Sequence, residues 1–231
     1  MSVRRSRKIH NSDDARRLAR QRLPKMMFDF IEGGSGDESL TKANNEAIAA
    51  VKLMPRVLLD VGERDMTSTI MGMKTGLPFG VAPMGMCNLA WPRADLALAH
   101  EAKSRNMPHC LSTASSTPLE RVIEASEGQT WFQLYASQEA FTLDLVKRAA
   151  AAQYKVLILT VDVPILSNRV RDGRNGLQFP FKMGLSQFID FATHPHWSLA
   201  TLAAGAPRTM NYETASVPID FARSASRGLA N

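Results

Sequence analysis

Apolar positions along this chain switch between helical spacing and short uninterrupted runs. Ser12, with Asp13 and Asp14 behind it, opens an amphipathic pattern that lasts until Pro24, which lacks the N–H a helix interior needs. Lys25 to Glu32 resumes as a short apolar helix, stopped by Gly33, Gly34 and Gly36. From Leu77 the texture changes. Pro78 to Met84 is a short apolar run between breakers and reads as a strand; Pro92 then begins a helical stretch to about Asn106, with Asp95 in its first turn. His109 to Thr113 is a second strand, followed by Thr117-Pro118-Leu119-Glu120, a capping box with proline at the first helical position, and a helix ending near Gly128. Trp131 to Tyr135 makes a third strand and Ser137 to about Ala152 its helix. Val156 to Asp162 carries the strongest strand pattern of all.

Strand and helix in repeated alternation imply a parallel sheet covered by helices, an α/β architecture. The strands begin near residues 78, 109, 131 and 156, roughly the 31-residue spacing expected where about 250 residues make eight β/α units. The expected fold is therefore of the TIM-type (β/α)8 barrel class, represented by about its first four β/α units behind an N-terminal helical extension. Three stretches follow from this reading: a basic arm and first helix at 1–25, the half-barrel at 26–175, and a tail at 176–231 of different composition.

Composition narrows the class. At 45% hydrophobic and 22% charged residues, the 231-residue chain suits a globular protein with one sizeable core, which excludes collagen-like sequence, low complexity and wholesale disorder. Thr160 and Asp162 cut short the apolar stretch around Val156 to Val161, and no run of about 18 apolar residues is present to cross a bilayer as a helix. The first residues, MSVRRSRKIHNSDD, have the positive start of a signal peptide without its apolar core, and Cys87 and Cys110 stand apart with no partner motif. The expected location is cytoplasmic, in a reducing compartment. Of the net charge of +6, the first 25 residues carry +7 through nine basic side chains set against Asp13 and Asp14, leaving −1 for the rest. Such an arm is a solvated tail or a contact for anionic lipid; nucleic acid is not expected, because no aromatic residues interleave with the basic ones. In the tail, Phe179, Phe181, Phe188, Ile189, Phe191 and Trp197 stand among Pro180, Pro195 and Pro207. That mixture fits either a loop packed on its own protein or a segment lying in a membrane interface.

In a barrel of this kind, ligand groups gather at the C-terminal ends of the strands. The residues there are Met84 and Gly85, Ser112 and Thr113, Gln133 and Tyr135, and Thr160 and Asp162. Each alone reads as a satisfied structural polar group. Four successive strands ending in hydrogen-bonding side chains read instead as the lining of a site for a polar heterocycle. His109 begins its strand, on the face that serves stability, and His100 lies inside a helix. His194 and His196, even with Asp190 nearby, are not expected to bind metal. There is no G-x-G-x-x-G, P-loop or nucleophile elbow, and Gly33-Gly34-Ser35-Gly36 reads as a turn rather than a phosphate cradle.

Several of these segments carry a family resemblance. Leu23 to Glu38 (LPKMMFDFIEGGSGDE), Leu77 to Met86 (LPFGVAPMGM), Leu111 to Ser115 (LSTAS), Trp131 to Tyr135 (WFQLY) and Leu159 to Pro164 (LTVDVP) occur in the order in which the FMN-dependent α-hydroxy acid dehydrogenases and oxidases have them. His194 to Ser198 (HPHWS) resembles a motif in the membrane-binding insertion of the membrane-associated (S)-mandelate and L-lactate dehydrogenases of that family. The resemblance implies FMN as cofactor, with Ala82, Pro83, Met84 and Gly85 against the flavin and Ser112, Gln133 and Thr160 bonded to its ring system. It implies substrate contacts at Tyr135, at Arg169 for the carboxylate, and at Phe30, where the family usually carries a tyrosine. Asp172 and Asn175 would order the loop of Arg169, and glycine at position 85 leans towards a dehydrogenase. The substrate implied is a small 2-hydroxy acid, with electrons passed to a membrane acceptor and a peripheral position at the inner face of the cell membrane. The family's later lysine, histidine base and phosphate loops have no counterpart here, so no catalytic base is assigned. The expectation is an N-terminal half that works with a complementary C-terminal half or as a homo-oligomer; the alternative is an inactive remnant.

Overall fold

The computed structural model describes residues 9–162, 167–177 and 183–215. In chain order the helices and strands are α1 (Ser12–Arg22), α2 (Lys25–Glu32), α3 (Ser39–Ala50), β1 (Ser68–Ile70), β2 (Met73–Thr75), α4 (Ala94–Ser104), β3 (His109–Ser112), α5 (Leu119–Ala125), β4 (Thr130–Tyr135), α6 (Glu139–Ala151), β5 (Leu157–Thr160), α7 (Val170–Arg174), α8 (Leu185–Ala192), α9 (Pro195–Ala204) and α10 (Met210–Glu213), with a 3₁₀ turn at Cys87–Leu89. They gather into two compact units, Met1–Met54 with Ser167–Ala206 and Pro55–Leu166 with Pro207–Asn231. The units cut across the three stretches drawn from sequence.

The second of these units holds the sheet. β3, β4 and β5 are parallel and in that order, with His109 opposite Thr130, Ser112 opposite Gln133, and Tyr135 opposite Thr160. Helices α4, α5 and α6 lie between and after the strands, the β/α alternation expected. Leu111, Phe132 and Leu134 point from one face of the sheet into a core with Ala99, Leu119, Val122, Phe141, Leu145 and Ala149. On β5 the matching positions are uncovered, Leu157 being 46% and Leu159 54% exposed. Among the described residues the sheet does not close into a barrel. The strand expected at Pro78 to Met84 is reduced to one bridge between Val81 and His109. Proline at 78 and 83 cannot donate to a ladder, and at Gly80 a Cβ would stand 2.5 Å from the Pro108 carbonyl oxygen, so the chains meet there too closely for any other residue. β1 and β2 form a separate antiparallel hairpin whose two-residue turn has positive φ at both Met71 (50°) and Gly72 (77°), the primed-turn geometry that matches strand twist.

The capping box expected ahead of α5 does not form. Pro118 occupies the N-cap without a side-chain bond. The Leu119 N–H is taken instead by Asn211 Oδ1 at 3.0 Å, and the Thr117 hydroxyl accepts from Asn88 Nδ2 at 3.3 Å.

The first unit is helical. Asn11 caps α1, its Oδ1 accepting from the Asp14 N–H at 2.8 Å, with acidic residues in the first turn and Arg20 and Arg22 in the last, as the helix dipole favours. α2 buries Met26, Met27 and Phe28, and its first N–H groups are met by a carboxylate from α8: Asp190 accepts from Lys25 N at 3.0 Å and Met26 N at 3.3 Å. Trp197 is buried on α9 with its ring 5.4 Å from that of Phe191. Their neighbours face outward, with Leu185 77% and Leu202 80% exposed. No helix among the described residues is long and apolar enough to cross a membrane. Phe179, Pro180 and Phe181 lie outside the described residues.

Candidate active site

Side chains alternate along a strand, so residues two apart share a face. Leu111, Phe132 and Leu134 belong to the helix-covered face; Ser112, Gln133, Tyr135 and Thr160 therefore stand on the other, all at the C-terminal ends of their strands. They form a ladder. Ser112 Oγ donates to Gln133 Oε1 at 3.0 Å, and Gln133 Nε2 donates to Thr160 Oγ1 at 2.7 Å. Thr113 locks the middle rung: its N–H is shared between the Gln133 carbonyl at 3.0 Å and Gln133 Oε1 at 3.3 Å, its hydroxyl donates to the Gln133 carbonyl at 2.6 Å, and Thr113 Oγ1 accepts the Tyr135 N–H at 3.0 Å. The partners fix the Gln133 amide, because Oε1 receives two donors and only the Nε2 end can give to Thr160. One Nε2 proton and the Thr160 hydroxyl proton are left for a further acceptor.

Ala82, Pro83, Met84 and Gly85 are exposed beside this ladder. The Met86 N–H donates to the Ala114 carbonyl at 2.8 Å, holding the segment against the turn after β3. A Cβ at Gly85 would lie 3.2 Å from that of Ala114 and 3.9 Å from Ser112 Oγ, so the glycine leaves room directly next to the polar row. A flavin ring fits this arrangement: it is flat, and its pyrimidine edge alternates acceptors with one donor, which a hydroxyl, an amide and backbone groups can meet. The phosphate end of FMN finds no cation among Ala82 to Gly85, Ser112, Gln133 and Thr160.

Phe30 and Arg169 belong to the first unit and are brought together there. The guanidinium lies 5.1 Å from the centre of the Phe30 ring, Nη2 donates to the Phe30 carbonyl, and Nε donates to Asp172 Oδ2 at 2.5 Å. Asp172 is buried, and its second oxygen has no hydrogen-bond partner. Asn175 ties the same loop back to α2, donating to Asp29 at 2.7 Å and accepting from Lys25 Nζ at 2.9 Å. Burial pushes the Asp29 carboxyl up, but its bonds to Lys25 and Asn175 outweigh this and hold it below its ordinary value. A cavity of about 330 Å³ in this unit is lined by Arg16, Lys25 and Arg171, yet each already faces a carboxylate, on Glu32, Asp29 and Glu38.

None of the five histidines stands at the strand ends. His109 is buried at the opposite end of β3 with Nδ1 3.2 Å from Thr130 Oγ1, and burial pushes its pKa down to about 4. His194 Nδ1 lies 2.7 Å from the Asp190 carbonyl oxygen. Among the described residues no group of His, Cys, Asp or Glu has the arrangement of a metal site. Burial raises both thiols to about 12, so neither is a ready nucleophile. Asn211 and Asp29 escaped the sequence reading, because their importance lies in long-range hydrogen bonds that leave no periodic signal.

Comparison with known proteins agrees with the motifs. The sequence matches the FMN-dependent dehydrogenase family over residues 19–226. It is 34% identical over 207 residues to (S)-mandelate dehydrogenase of Pseudomonas putida, covering 90% of this chain and 53% of that one. To 4-hydroxymandelate oxidase of Amycolatopsis orientalis it is 39% identical over 197 residues, covering 85% of this chain and 55% of the oxidase. The structure is similar to that of the monotopic membrane protein (S)-mandelate dehydrogenase, with a TM-score of 0.85 and 32% identity over 96% of this chain and 58% of that one. The chain thus spans little more than half the length of these relatives, in their barrel class of fold. It belongs to the FMN-dependent dehydrogenase family.

Proposed function

We propose that this chain contributes the flavin-edge and substrate-carboxylate groups of an enzyme that oxidises a small L-2-hydroxy acid, lactate-like or mandelate-like, to the 2-oxo acid. The observation that carries this reading is the Ser112–Gln133–Thr160 ladder, three polar side chains in a bonded row across three parallel strand ends. FMN, when bound, supplies the acceptor for the hydride equivalent that leaves the α-carbon. Gln133 and Thr160 donate their remaining protons to the ring edge and orient it, while Ala82 to Gly85 flank it with backbone. Arg169, held by Asp172 and Phe30, presents the rest of its guanidinium fork to the substrate carboxylate. The family resemblance makes Tyr135 a substrate contact through its hydroxyl. Phe30 offers none, so the carboxylate has one hydrogen bond fewer than in relatives with tyrosine there, and binding is weaker. The substrate hydroxyl also has to give up a proton, and no histidine of this chain stands at the strand ends to take it.

Among the described residues β5 is paired on one side only, and this, with its uncovered Leu157 and Leu159, supports a second part of the reading. Unpaired edges recruit further strands, and a complementary C-terminal half of the family's fold would supply both cover and base; a second copy of this chain would supply cover alone. The outward apolar residues of α8 and α9, with the basic arm, support attachment to a membrane surface and delivery of electrons to an acceptor there. The test is a flavin spectrum of the chain with FMN, followed by anaerobic L-lactate or (S)-mandelate, with and without a separately expressed C-terminal half from a relative. Flavin bound by the chain and bleached by substrate only with the added half is the expected result. Failure to take up FMN in either mixture would overturn the reading.

A further inference from the structure

Asn211 is 0% exposed and lies 98 residues along the chain from Thr113, yet its side chain makes three hydrogen bonds to the stretch from Thr113 to Leu119. Its Oδ1 accepts from the Leu119 N–H at 3.0 Å; its Nδ2 donates to Ser115 Oγ at 3.0 Å and to the Thr113 carbonyl at 3.4 Å. The amide can sit only one way round, since Leu119 N–H can only donate and the Thr113 carbonyl can only accept. Ser115 Oγ passes the chain on by donating to the Thr117 carbonyl at 2.7 Å. The neighbouring backbone joins in, Met210 N donating to Ser115 O at 3.1 Å, and Tyr212 stacks on Phe141 with ring centres 5.2 Å apart. This segment is therefore wedged into the site's unit rather than draped over it.

The turn it grips is the one that organises the polar row. Thr113 makes four bonds to β4, three to Gln133 and one to the Tyr135 N–H. Ala114 accepts from Met86 at 2.8 Å and donates to Ser112 Oγ at 3.1 Å, so it links the Ala82 to Gly85 segment to the ladder. At its far end Asp95 accepts from the Ser116 N–H at 3.1 Å and Asn88 donates to the Ser116 carbonyl at 3.3 Å, but Pro118 has no N–H and α5 has no capping side chain of its own to meet the Leu119 N–H. An asparagine side chain from a distant segment fills that role.

We propose that Asn211 is a positioning residue for the flavin edge: by clamping Thr113, Ser115 and Leu119 it holds the Ser112–Gln133–Thr160 ladder and the Gly85 backbone in the geometry that receives the ring. The proposal rests on the reading that this ladder meets the flavin. Buried polar networks act as units, so releasing one clamp loosens every rung beyond it. It follows that the described segment 207–215 supports the cofactor site through Asn211.

The test compares Asn211→Asp, which keeps an acceptor for Leu119 but turns an oxygen towards the Thr113 carbonyl, and the milder Asn211→Ser with Tyr154→Phe. The last removes only the bond from Tyr154 Oη to the Leu119 carbonyl, 2.8 Å, and serves as a control for general loosening of α5. In the flavin-free chain, hydrogen exchange at the Ala114 and Met86 amides rises about tenfold or more in Asn211→Asp, less in Asn211→Ser, and stays at the wild-type rate in Tyr154→Phe, the size expected when about one buried hydrogen bond is lost. With FMN added, Asn211→Asp binds about tenfold more weakly and alters the shape of the visible flavin band, while Tyr154→Phe does neither at a matched loss of thermal stability. Unchanged exchange at both amides would overturn the proposal, as would raised exchange with unchanged affinity and spectrum. Wild-type chain that takes up no FMN would defeat the functional reading instead, and the exchange rates would still decide whether Asn211 holds the ladder.

Discussion

The two ends of the β3–β5 sheet are built from the same strands and serve opposite purposes. At the start, His109 and Thr130 face each other in full burial, 3.2 Å apart, and burial pushes the histidine down to about 4 so that it stays neutral. At the finish, Ser112, Gln133 and Thr160 are bonded in a row, but Gln133 and Thr160 each keep a donor proton in hand, with the exposed Ala82 to Gly85 alongside. Closed pairs contribute stability and recognise nothing; a polar row with spare valences beside open space is what a ligand needs. The contrast sets a buried histidine with a closed pair apart from a glutamine, three residues on from that histidine's partner, which belongs to the proposed flavin edge.

The largest expected effect comes from removing what both ends share. Phe132, fully buried between them, changed to alanine should cost about 3–5 kcal/mol in urea unfolding and abolish the contrast by unfolding the sheet. Next is the closed end alone. His109 has a folded pKa below its unfolded value, about 4 against 6.5, so the unfolded chain binds the proton first as pH falls. Its contribution is complete above pH 6.5 and is lost as pH drops towards 4, about 3 kcal/mol in all, and His109→Asn should flatten that part of a stability–pH curve. At the open end, Gln133→Leu strands the Ser112 hydroxyl proton and removes the donor to Thr160, while the Thr113 N–H keeps its bond to the backbone carbonyl at 133; it should cost about 1–3 kcal/mol in the same unfolding assay. Thr160→Val, at the last rung, should cost about 1 kcal/mol of stability yet weaken FMN binding several-fold in a fluorescence titration.

Much of this arrangement was legible in the sequence. The alternation from His109 to Thr160 marked strands and helices, and period-two spacing then put Ser112, Gln133, Tyr135 and Thr160 on one face. Where the reading missed, the cause was a partner distant in sequence. Pro78 to Met84 has the hydrophobicity of a strand, but its prolines and the tight approach of Gly80 to Pro108 leave one bridge. Thr117 to Glu120 has the letters of a capping box, but Asn88 takes the hydroxyl and Asn211 takes the helix N–H. α2 begins with proline at its N-cap and no cap of its own, because Asp190 supplies one from α8. Hydrogen bonds of this reach have no period, so a pattern search passes over them.

FMN titration of the wild-type chain against Gln133→Leu tests the central claim most directly, with far-UV circular dichroism confirming that both are folded. The open end of the sheet predicts flavin binding by wild type, with quenched fluorescence, and a loss of about tenfold or more in affinity on replacing Gln133. Equal affinity in two folded proteins would contradict it.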